Sequence, residues 1–278
     1  MQEQAEQFDL MATVQESRLA MDGTYMSVIR FGAGKRAFAM ISGISLSGLE
    51  GLGASIAQAY EILARDYTVY VFDRKKVLPD RYTTEDMAED VYRALRLYGV
   101  EQADVYGVSH GGMMAQYMAV NHPELVRNLV LCSTQARAGE TVKEVAGTWC
   151  RFAEARDVVG LNRYFFEKVY SEEYLFGFRD ALPELEKLGT DEDCRRFEVL
   201  AGAVAEFDLY DRLDEVKCPA LVLGSTDDHV ISVESMIELA DRLDCERYIY
   251  SGFGHAVYDE APDIKKRIYD FIMRGEST

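Results

Sequence analysis

The segment Gly107-Val108-Ser109-His110-Gly111-Gly112 carries the strongest chemical signal in the sequence. It lies between a predicted strand and a predicted helix. Glycines on both sides of a serine permit a turn too sharp for Cβ atoms, and such a turn presents the serine hydroxyl at the start of the following helix. The pattern predicts that Ser109 is a nucleophile; the alternative is a tight turn with an incidental serine.

A serine hydroxyl attacks efficiently only when a base removes its proton, and the chain offers four histidines. His110 lies in the turn itself, His122 closes the next helix, and His229 follows two aspartates in a loop. His255 follows Gly-Phe-Gly in a glycine-rich loop after the last predicted strand. The base belongs there if the catalytic residues occur in the order serine, acid, histidine, so we favour His255.

A catalytic histidine needs a carboxylate that fixes its tautomer and stabilises its charged form. The segment 222–232 supplies Asp227 and Asp228 after a predicted strand. Register favours Asp228, because the apolar pair Val230-Ile231 follows it at a spacing common in such loops. Asp227 stays as the alternative acid.

The elements that must hold these residues alternate between strand and helix. Apolar runs predict strands at residues 26–31, 37–42, 68–72, 103–106, 126–132, 220–223 and 247–250. Helical spacing predicts helices at residues 52–64, from Thr83 or Thr84 onward, and at 113–121, 233–243 and 262–273. This alternation is typical of an α/β fold with a mostly parallel sheet that helices cover on both faces.

Residues 137–212 interrupt the alternation and contain helix-like segments without a convincing strand. They hold Trp149 and eleven of the thirty Phe and Tyr residues. A connection exposed to solvent needs few large apolar side chains. We therefore predict a helical lid at 137–212, with residues 1–136 and 213–278 forming the core.

Composition excludes several classes of function. The net charge of −18 argues against binding nucleic acid or an anionic membrane surface. Five scattered cysteines without a CxxC pair indicate neither a disulfide framework nor a zinc site. The N-terminal residues lack the basic and apolar regions of a signal peptide, so we expect a cytoplasmic protein. We also expect it to bind a small-molecule substrate and no metal or cofactor.

The chain resembles the α/β-hydrolase-fold proteins over nearly its full length. The resemblance rests on the G-V-S-H-G-G turn, the G-S-T-D-D segment, the G-F-G-H-A segment and the predicted lid. It implies an eight-stranded, mostly parallel sheet with an inserted lid. It also implies a triad of Ser109 as nucleophile, His255 as base and Asp228 as orienting acid.

The resemblance further implies an oxyanion hole built from two backbone N–H groups. One belongs to His110, and the other to a residue of the loop 41–45, where register indicates Ile44 and leaves Ser45 as the alternative. The family commonly has His-Gly in this loop, whereas this chain has Ser42-Gly43. The usual histidine that supports the loop is therefore missing.

A serine, a base and an oxyanion hole together predict a serine hydrolase that cleaves an ester or related acyl bond of a small, largely apolar substrate. One alternative is a hydrolase of carbon–carbon bonds in diketone-type substrates. Another, from a different class, is a ligand-binding protein that has lost catalysis. Six arginines of the predicted lid are candidates to pair with a substrate carboxylate, but we favour their interpretation as solvated residues that balance local acids: Arg151, Arg156, Arg163, Arg179, Arg195 and Arg196.

Overall fold

Eight strands form one sheet in the computed structural model, which describes residues 8–79 and 81–274. The strands are β1 (Gln15–Met21), β2 (Thr24–Phe31), β3 (Arg36–Ile41), β4 (Tyr67–Lys75), β5 (Ala103–Val108), β6 (Val126–Cys132), β7 (Ala220–Ser225) and β8 (Glu246–Tyr250). Their order across the sheet is β1-β2-β4-β3-β5-β6-β7-β8. β2 pairs antiparallel with β1 and β4, and the other neighbours are parallel.

Helices lie on both faces of the sheet. They are α1 (Leu10–Thr13), α2 (Gly53–Ala59), α3 (Thr84–Leu97), α4 (His110–Asn121), α5 (Glu140–Glu154), α6 (Val158–Val169), α7 (Glu172–Phe178), α8 (Leu182–Leu185), α9 (Asp191–Ala205), α10 (Val233–Leu243), α11 (Val257–Glu260) and α12 (Ile264–Met273). Short 3₁₀ helices cover Glu61–Leu63 and Tyr210–Glu215. Each of these helices is too short or too polar to cross a membrane in the part of the chain that is described.

The sheet separates two apolar cores because successive strand residues point to opposite faces. In β6, Leu129 and Leu131 belong to one core, whereas Val130 and Cys132 belong to the other. α3, α4 and α10 contribute to the first core, and α2, α11 and α12 to the second. The α/β fold class expected from the sequence is confirmed.

The observed limits of strands and helices agree with the predicted ones where the apolar pattern is clear. β6 and α10 have their predicted limits, and Thr83 caps α3 by accepting a hydrogen bond from the N–H of Asp86. The helix predicted at 52–64 is shorter, because α2 ends at Ala59 and a 3₁₀ turn follows. β1 is an edge strand in which only Met21 is buried. Because no apolar alternation marks such a strand, the sequence did not predict it.

Helices α5–α9, here called the helical insertion, lie between β6 and β7. The two connections to the core run antiparallel, with the N–H of Ala138 donating to Phe207 and that of Leu209 donating to Ala136. Inside, the Trp149 ring lies 5.8 Å from the Phe197 ring, so α5 packs on α9. The boundaries 137–212 for a lid stay a prediction.

The carboxyl ends of the parallel strands meet at one edge of the sheet, where α/β proteins bind ligands. Ser109 follows β5, Ser133 follows β6, Asp228 follows β7 and His255 follows β8. Four neighbouring strands thus bring residues from distant parts of the sequence to the same edge.

We expect the opposite edge to contribute strongly to stability through Asp104, which is fully buried near the start of β5. Its carboxylate accepts hydrogen bonds from Asn128 (2.7 Å), Arg36 (2.9 Å) and Arg127 (3.3 Å). Asp104→Ala should lower the free energy of unfolding by about 3 kcal/mol, since it removes the carboxylate shared by two arginines. Urea denaturation measures this change.

The matched control is Asp270→Ala, which removes an exposed carboxylate paired with Lys266 on α12. An exposed pair of this kind contributes less than about 1 kcal/mol. Equal losses in the two variants would contradict the role assigned to Asp104.

Candidate active site

Ser109 occupies the sharp turn between β5 and α4, with φ 54° and ψ −122°. This conformation is strained for a residue that carries a side chain. Two contacts impose it: the N–H of Ser109 donates to the carbonyl of Cys132 (2.9 Å), and its own carbonyl accepts from the N–H of Gly112 (2.9 Å). The surrounding backbone therefore fixes the position of the serine.

Glycines make this turn possible because other backbone segments occupy the space of their missing Cβ atoms. A Cβ on Gly107 would lie 2.4 Å from the carbonyl oxygen of Gly111. A Cβ on Gly111 would lie 2.1 Å from the carbonyl oxygen of Ile41. The serine turn (residues 107–112) consequently packs directly on the end of β3.

The loop 41–45 after β3 lies beside the serine. A Cβ built on Gly43 would be 3.4 Å from the Cβ of Ser109. The backbone N–H groups of Ile44 and His110 donate no hydrogen bond to any described residue. Free donors next to a serine are the arrangement that an oxyanion hole requires.

Arg74, at the end of β4, supports this loop from behind. Its Nη1 donates to the carbonyl of Ser42 (2.6 Å), the hydroxyl of Ser42 (3.2 Å) and the carbonyl of Gly43 (3.0 Å). Burial lowers the pKa of Arg74 to about 10, so the guanidinium stays charged at neutral pH. Arg74 thus supplies support where the chain lacks the usual histidine.

His255 and Asp228 are in direct contact. Nδ1 of His255 lies 2.7 Å from Oδ2 of Asp228, and both side chains are buried. The other carboxylate oxygen of Asp228 accepts from the N–H groups of Val230 (2.7 Å) and Ile231 (2.8 Å). The carboxylate is therefore fully engaged, and it holds the imidazole by one nitrogen.

Strand ends also hold the base loop (residues 251–256) through its backbone. The hydroxyl of Ser133 donates to the carbonyl of His255 (2.7 Å), and that of Ser225 donates to the carbonyl of Phe253 (2.5 Å). The Ser109 hydroxyl makes no hydrogen bond with a described residue. The structure therefore brings His255 and Asp228 together and shows no hydrogen bond between Ser109 and His255.

The other candidates from the sequence have different surroundings. Asp227 is exposed, and its carboxylate accepts from the N–H of Gly252 (2.8 Å) and the hydroxyl of Thr226 (2.7 Å). The His110 side chain is buried against Thr84, and burial holds its pKa well below the usual range. His122, directly after α4, stacks on the ring of Tyr92 from α3, and His229 is exposed.

A cavity of about 270 Å³ adjoins the loop 41–45. Its floor comes from strand ends and α2, and its walls come from the helical insertion and α11. The lining combines aliphatic side chains with several polar ones, namely Ser42, Ser45, Tyr60, Tyr106, Tyr170, Tyr258 and Asp259. The lining is therefore mostly apolar, with a few polar groups among the aliphatic side chains.

The arginines considered as partners for a substrate carboxylate all lie outside the lining of this cavity. Arg196 is buried against Asp73 (2.8 Å). The others contact neighbouring residues, namely Thr148 for Arg151, Glu198 for Arg156, Glu186 for Arg163, Asp180 for Arg179 and Glu192 for Arg195. None of the six candidate arginines therefore lines this cavity, in agreement with their interpretation as lid residues that balance local acids.

Comparison with known proteins agrees with this geometry. A family profile described as "alpha/beta hydrolase fold" matches residues 48–262. The chain belongs to the alpha/beta hydrolase fold family. The predicted resemblance is confirmed, and the chain is a hydrolase of this family.

Curated relatives of this hydrolase carry a more specific name. A protein of Caulobacter sp. (strain K31) named "Putative carbamate hydrolase RutD" is 27% identical over 237 residues, which cover 80% of this chain and 85% of the relative. A protein of the same name from Rhizobium rhizogenes (strain K84 / ATCC BAA-868) is 26% identical over 226 residues, covering 78% and 86%.

Among solved structures, an alpha/beta hydrolase enzyme from a Medee basin deep-sea metagenome library superposes with a TM-score of 0.83 at 16% identity. That match covers 94% of this chain and 98% of the other. The enol-lactonase from Burkholderia xenovorans LB400 superposes with a TM-score of 0.81 at 20% identity, covering 93% and 100%. At these identities the likeness establishes the fold.

Sequence reasoning missed contacts that join the hydrolase core to its insertion. The carboxylate of Glu260 accepts from the N–H of Ser171 (2.9 Å) in the insertion and from that of Gly254 (3.3 Å) in the base loop. The N–H of Ala256 donates to the carbonyl of Val169 (2.8 Å). The only feature of the sequence that points to these contacts is Glu260, which lies five residues after His255 and two before Pro262.

Arg74→Met should lower kcat for p-nitrophenyl acetate by roughly tenfold, because it removes the hydrogen bonds that hold the carbonyls of Ser42 and Gly43. Steady-state kinetics measure the loss. If the loop 41–45 supplies an oxyanion donor, as the sequence predicts, KM should change less than kcat, since such a donor acts mainly in the transition state.

Arg196→Met is the matched control. It removes an equally buried guanidinium that bonds to Asp73 and to the carbonyls of Arg74 and Lys75, but not to the loop 41–45. It should reduce the melting temperature and spare kcat. Equal losses of kcat in the two variants would show that Arg74 has only a structural effect.

Proposed function

We propose that this hydrolase cleaves an ester or related acyl bond of a small, largely apolar substrate through a serine triad. Ser109 is the nucleophile, His255 the general base and Asp228 the acid that orients it. The observation that supports the proposal most is the 2.7 Å hydrogen bond between His255 and Asp228 at the strand edge where the strained Ser109 turn lies. No cofactor takes part.

The proposed reaction proceeds in two halves. His255 takes the proton of the Ser109 hydroxyl while the serine oxygen attacks the acyl carbon, and the N–H groups of His110 and Ile44 stabilise the negative oxygen of the tetrahedral intermediate. His255 then protonates the leaving alcohol as the acyl–oxygen bond breaks. Water attacks the acyl-enzyme with His255 again as base, and the acid product leaves with Ser109 restored.

We further propose that residues 137–212 act as the lid of this site, with residues 1–136 and 213–278 as the core. Two observations support these boundaries. The antiparallel contacts of Ala136 and Ala138 with Leu209 and Phe207 form a narrow neck. In addition, Phe165 and Tyr170 of the insertion line the cavity beside the loop 41–45. A cytoplasmic location stays a prediction from the sequence.

Carbamate hydrolysis is a second candidate, and the names of the curated relatives favour it. The same serine, base and oxyanion donors would attack a carbamate carbon, which is less electrophilic than that of an ester. A screen of matched ester and carbamate substrates separates the two. The other two alternatives are carbon–carbon hydrolysis and ligand binding without catalysis. No contact described above favours either of them.

A fluorophosphonate probe should label the wild-type chain and fail to label Ser109→Ala, because the probe reacts with an activated serine hydroxyl. Gel fluorescence or intact mass measures the adduct. Ser45→Ala is the control, since Ser45 lines the same cavity and should leave labelling intact. A folded wild-type protein that stays unlabelled would favour the non-catalytic alternative.

Asp228→Asn should lower kcat by about 10³- to 10⁴-fold, because an amide cannot fix the required tautomer of His255 or stabilise its charged form. Asp227→Asn is the matched neighbour, and we expect it to lose less than about tenfold, since an amide oxygen can still accept from Gly252. Kinetics with an activated ester measure both losses. A larger loss from Asp227→Asn would assign the acid to Asp227.

A further inference from the structure

The wall of the cavity carries one acidic side chain among tyrosines. Asp259 of α11 lines it together with Tyr60, Tyr106, Tyr170 and Tyr258. No lysine, arginine or histidine belongs to the lining within the part of the chain that is described. Among the described residues, Asp259 is therefore the one ionisable carboxylate in a lining that is otherwise mostly apolar.

The Asp259 carboxylate makes no side-chain hydrogen bond or ion pair with a described residue, and the residue is exposed to solvent. The nearest cation is Lys265 on α12, which donates to the carbonyl of Tyr258 (2.5 Å) and lies 5.8 Å from the ring centre of Tyr60. Its charge lowers the pKa of Asp259 without forming a salt bridge. The carboxylate is thus available to a ligand.

Although Asp259 keeps accessible surface, the protein packed around it desolvates the carboxylate and raises its pKa to about 6, so the group is ionised at neutral pH and titrates just below it. Burial, with a contribution from the charge of Asp259, raises the pKa values of Tyr60, Tyr106 and Tyr170. Their hydroxyls therefore stay neutral. The titratable and charged groups around Asp259 are Tyr60, Tyr106, Cys132, Tyr170, Tyr174, Tyr258, Glu260 and Lys265.

A carboxylate and several neutral aromatic rings around one cavity attract a cation by two additive effects. The carboxylate attracts it by charge, and the tyrosines of the lining supply the aromatic groups that cation–π attraction requires. A carboxylate-bearing substrate would meet repulsion in the same place. The overall charge of −18 acts in the same sense over longer distances.

The cavity also adjoins the loop that lies beside the serine. Ser42, Gly43 and Ile44 contribute to its lining, and a Cβ built on Gly43 would lie 3.4 Å from the Cβ of Ser109. Asp259 lies four residues after His255, on the helix that begins directly behind the base loop. A substrate held at Ser109 can therefore place a second group in the cavity.

We propose that this cavity binds an ammonium group, so that the preferred substrates are esters or related acyl compounds that carry an amine or a quaternary ammonium. The inference rests on the proposed hydrolase function for its kinetic test. Its binding test is independent of catalysis.

The kinetic test compares the acetate ester of choline with its neutral isostere, 3,3-dimethylbutyl acetate. At pH 8 the ratio of kcat/KM for the cation over the isostere should be about tenfold or more in the wild type and should fall toward one in Asp259→Asn. Asp270→Asn removes the same charge from an exposed site on α12 and should preserve the ratio. A ratio that is the same in the wild type and Asp259→Asn overturns the proposal.

The pH dependence provides a test without any variant. Because the carboxylate is charged above its pKa and neutral below it, the ratio should fall as the pH decreases from 8 to 5 with a midpoint near 6. Any pH dependence of the shared chemical steps affects both esters alike and cancels in the ratio. A ratio that is constant over this range also overturns the proposal.

The binding test uses tetramethylammonium and Ser109→Ala, in which the serine chemistry is removed. Isothermal titration calorimetry should detect binding that weakens severalfold in the double variant Ser109→Ala/Asp259→Asn, while the neutral probe 3,3-dimethyl-1-butanol should bind equally to both. Failure to hydrolyse the neutral ester would reject the proposed function alone. Tetramethylammonium binding that is unaffected by Asp259→Asn would reject the ammonium site alone.

Discussion

The whole site depends on one contact between two backbones, where Gly111 meets the carbonyl of Ile41. The contact ties the serine turn to the end of β3, and the parallel pairing of Ile41 with Gly107 sets its register. Because the next residues along the chain are the loop 42–45, this backbone contact brings the start of the loop to the serine. The Arg74 side chain then holds the loop carbonyls in that place.

The sequence predicted those parts of the site that have short, local signals. The glycines around Ser109 and before His255 mark turns that only glycine permits, and a buried carboxylate at Asp228 follows a clear apolar strand. The contact of Arg74 with the loop 41–45 left no such signal, because β3 and β4 are neighbours in space and distant in sequence. The edge strand β1 was not predicted for another reason: its side chains are mostly exposed, so it has no apolar pattern.

The helical insertion and the base loop form a single packed unit. Gly254 permits this, because a Cβ there would lie 2.7 Å from the backbone nitrogen of Ser171. Glu260 and the hydrogen bond from Ala256 to Val169 secure the same contact. Side chains of the insertion that line the cavity are thereby held in a fixed relation to His255. No sequence pattern predicts this contact, since it depends on how the insertion folds back over the core.

The adjacent carboxylates of Asp227 and Asp228 contact opposite ends of the base loop, at Gly252 and His255. A glycine-rich loop would otherwise lose much conformational entropy each time it became ordered for a reaction. With both ends held before any ligand arrives, that entropy is lost once, during folding, and is not lost again in every turnover. The Asp-Asp pair therefore makes the loop preorganised, so that its flexible composition imposes no recurring cost on catalysis.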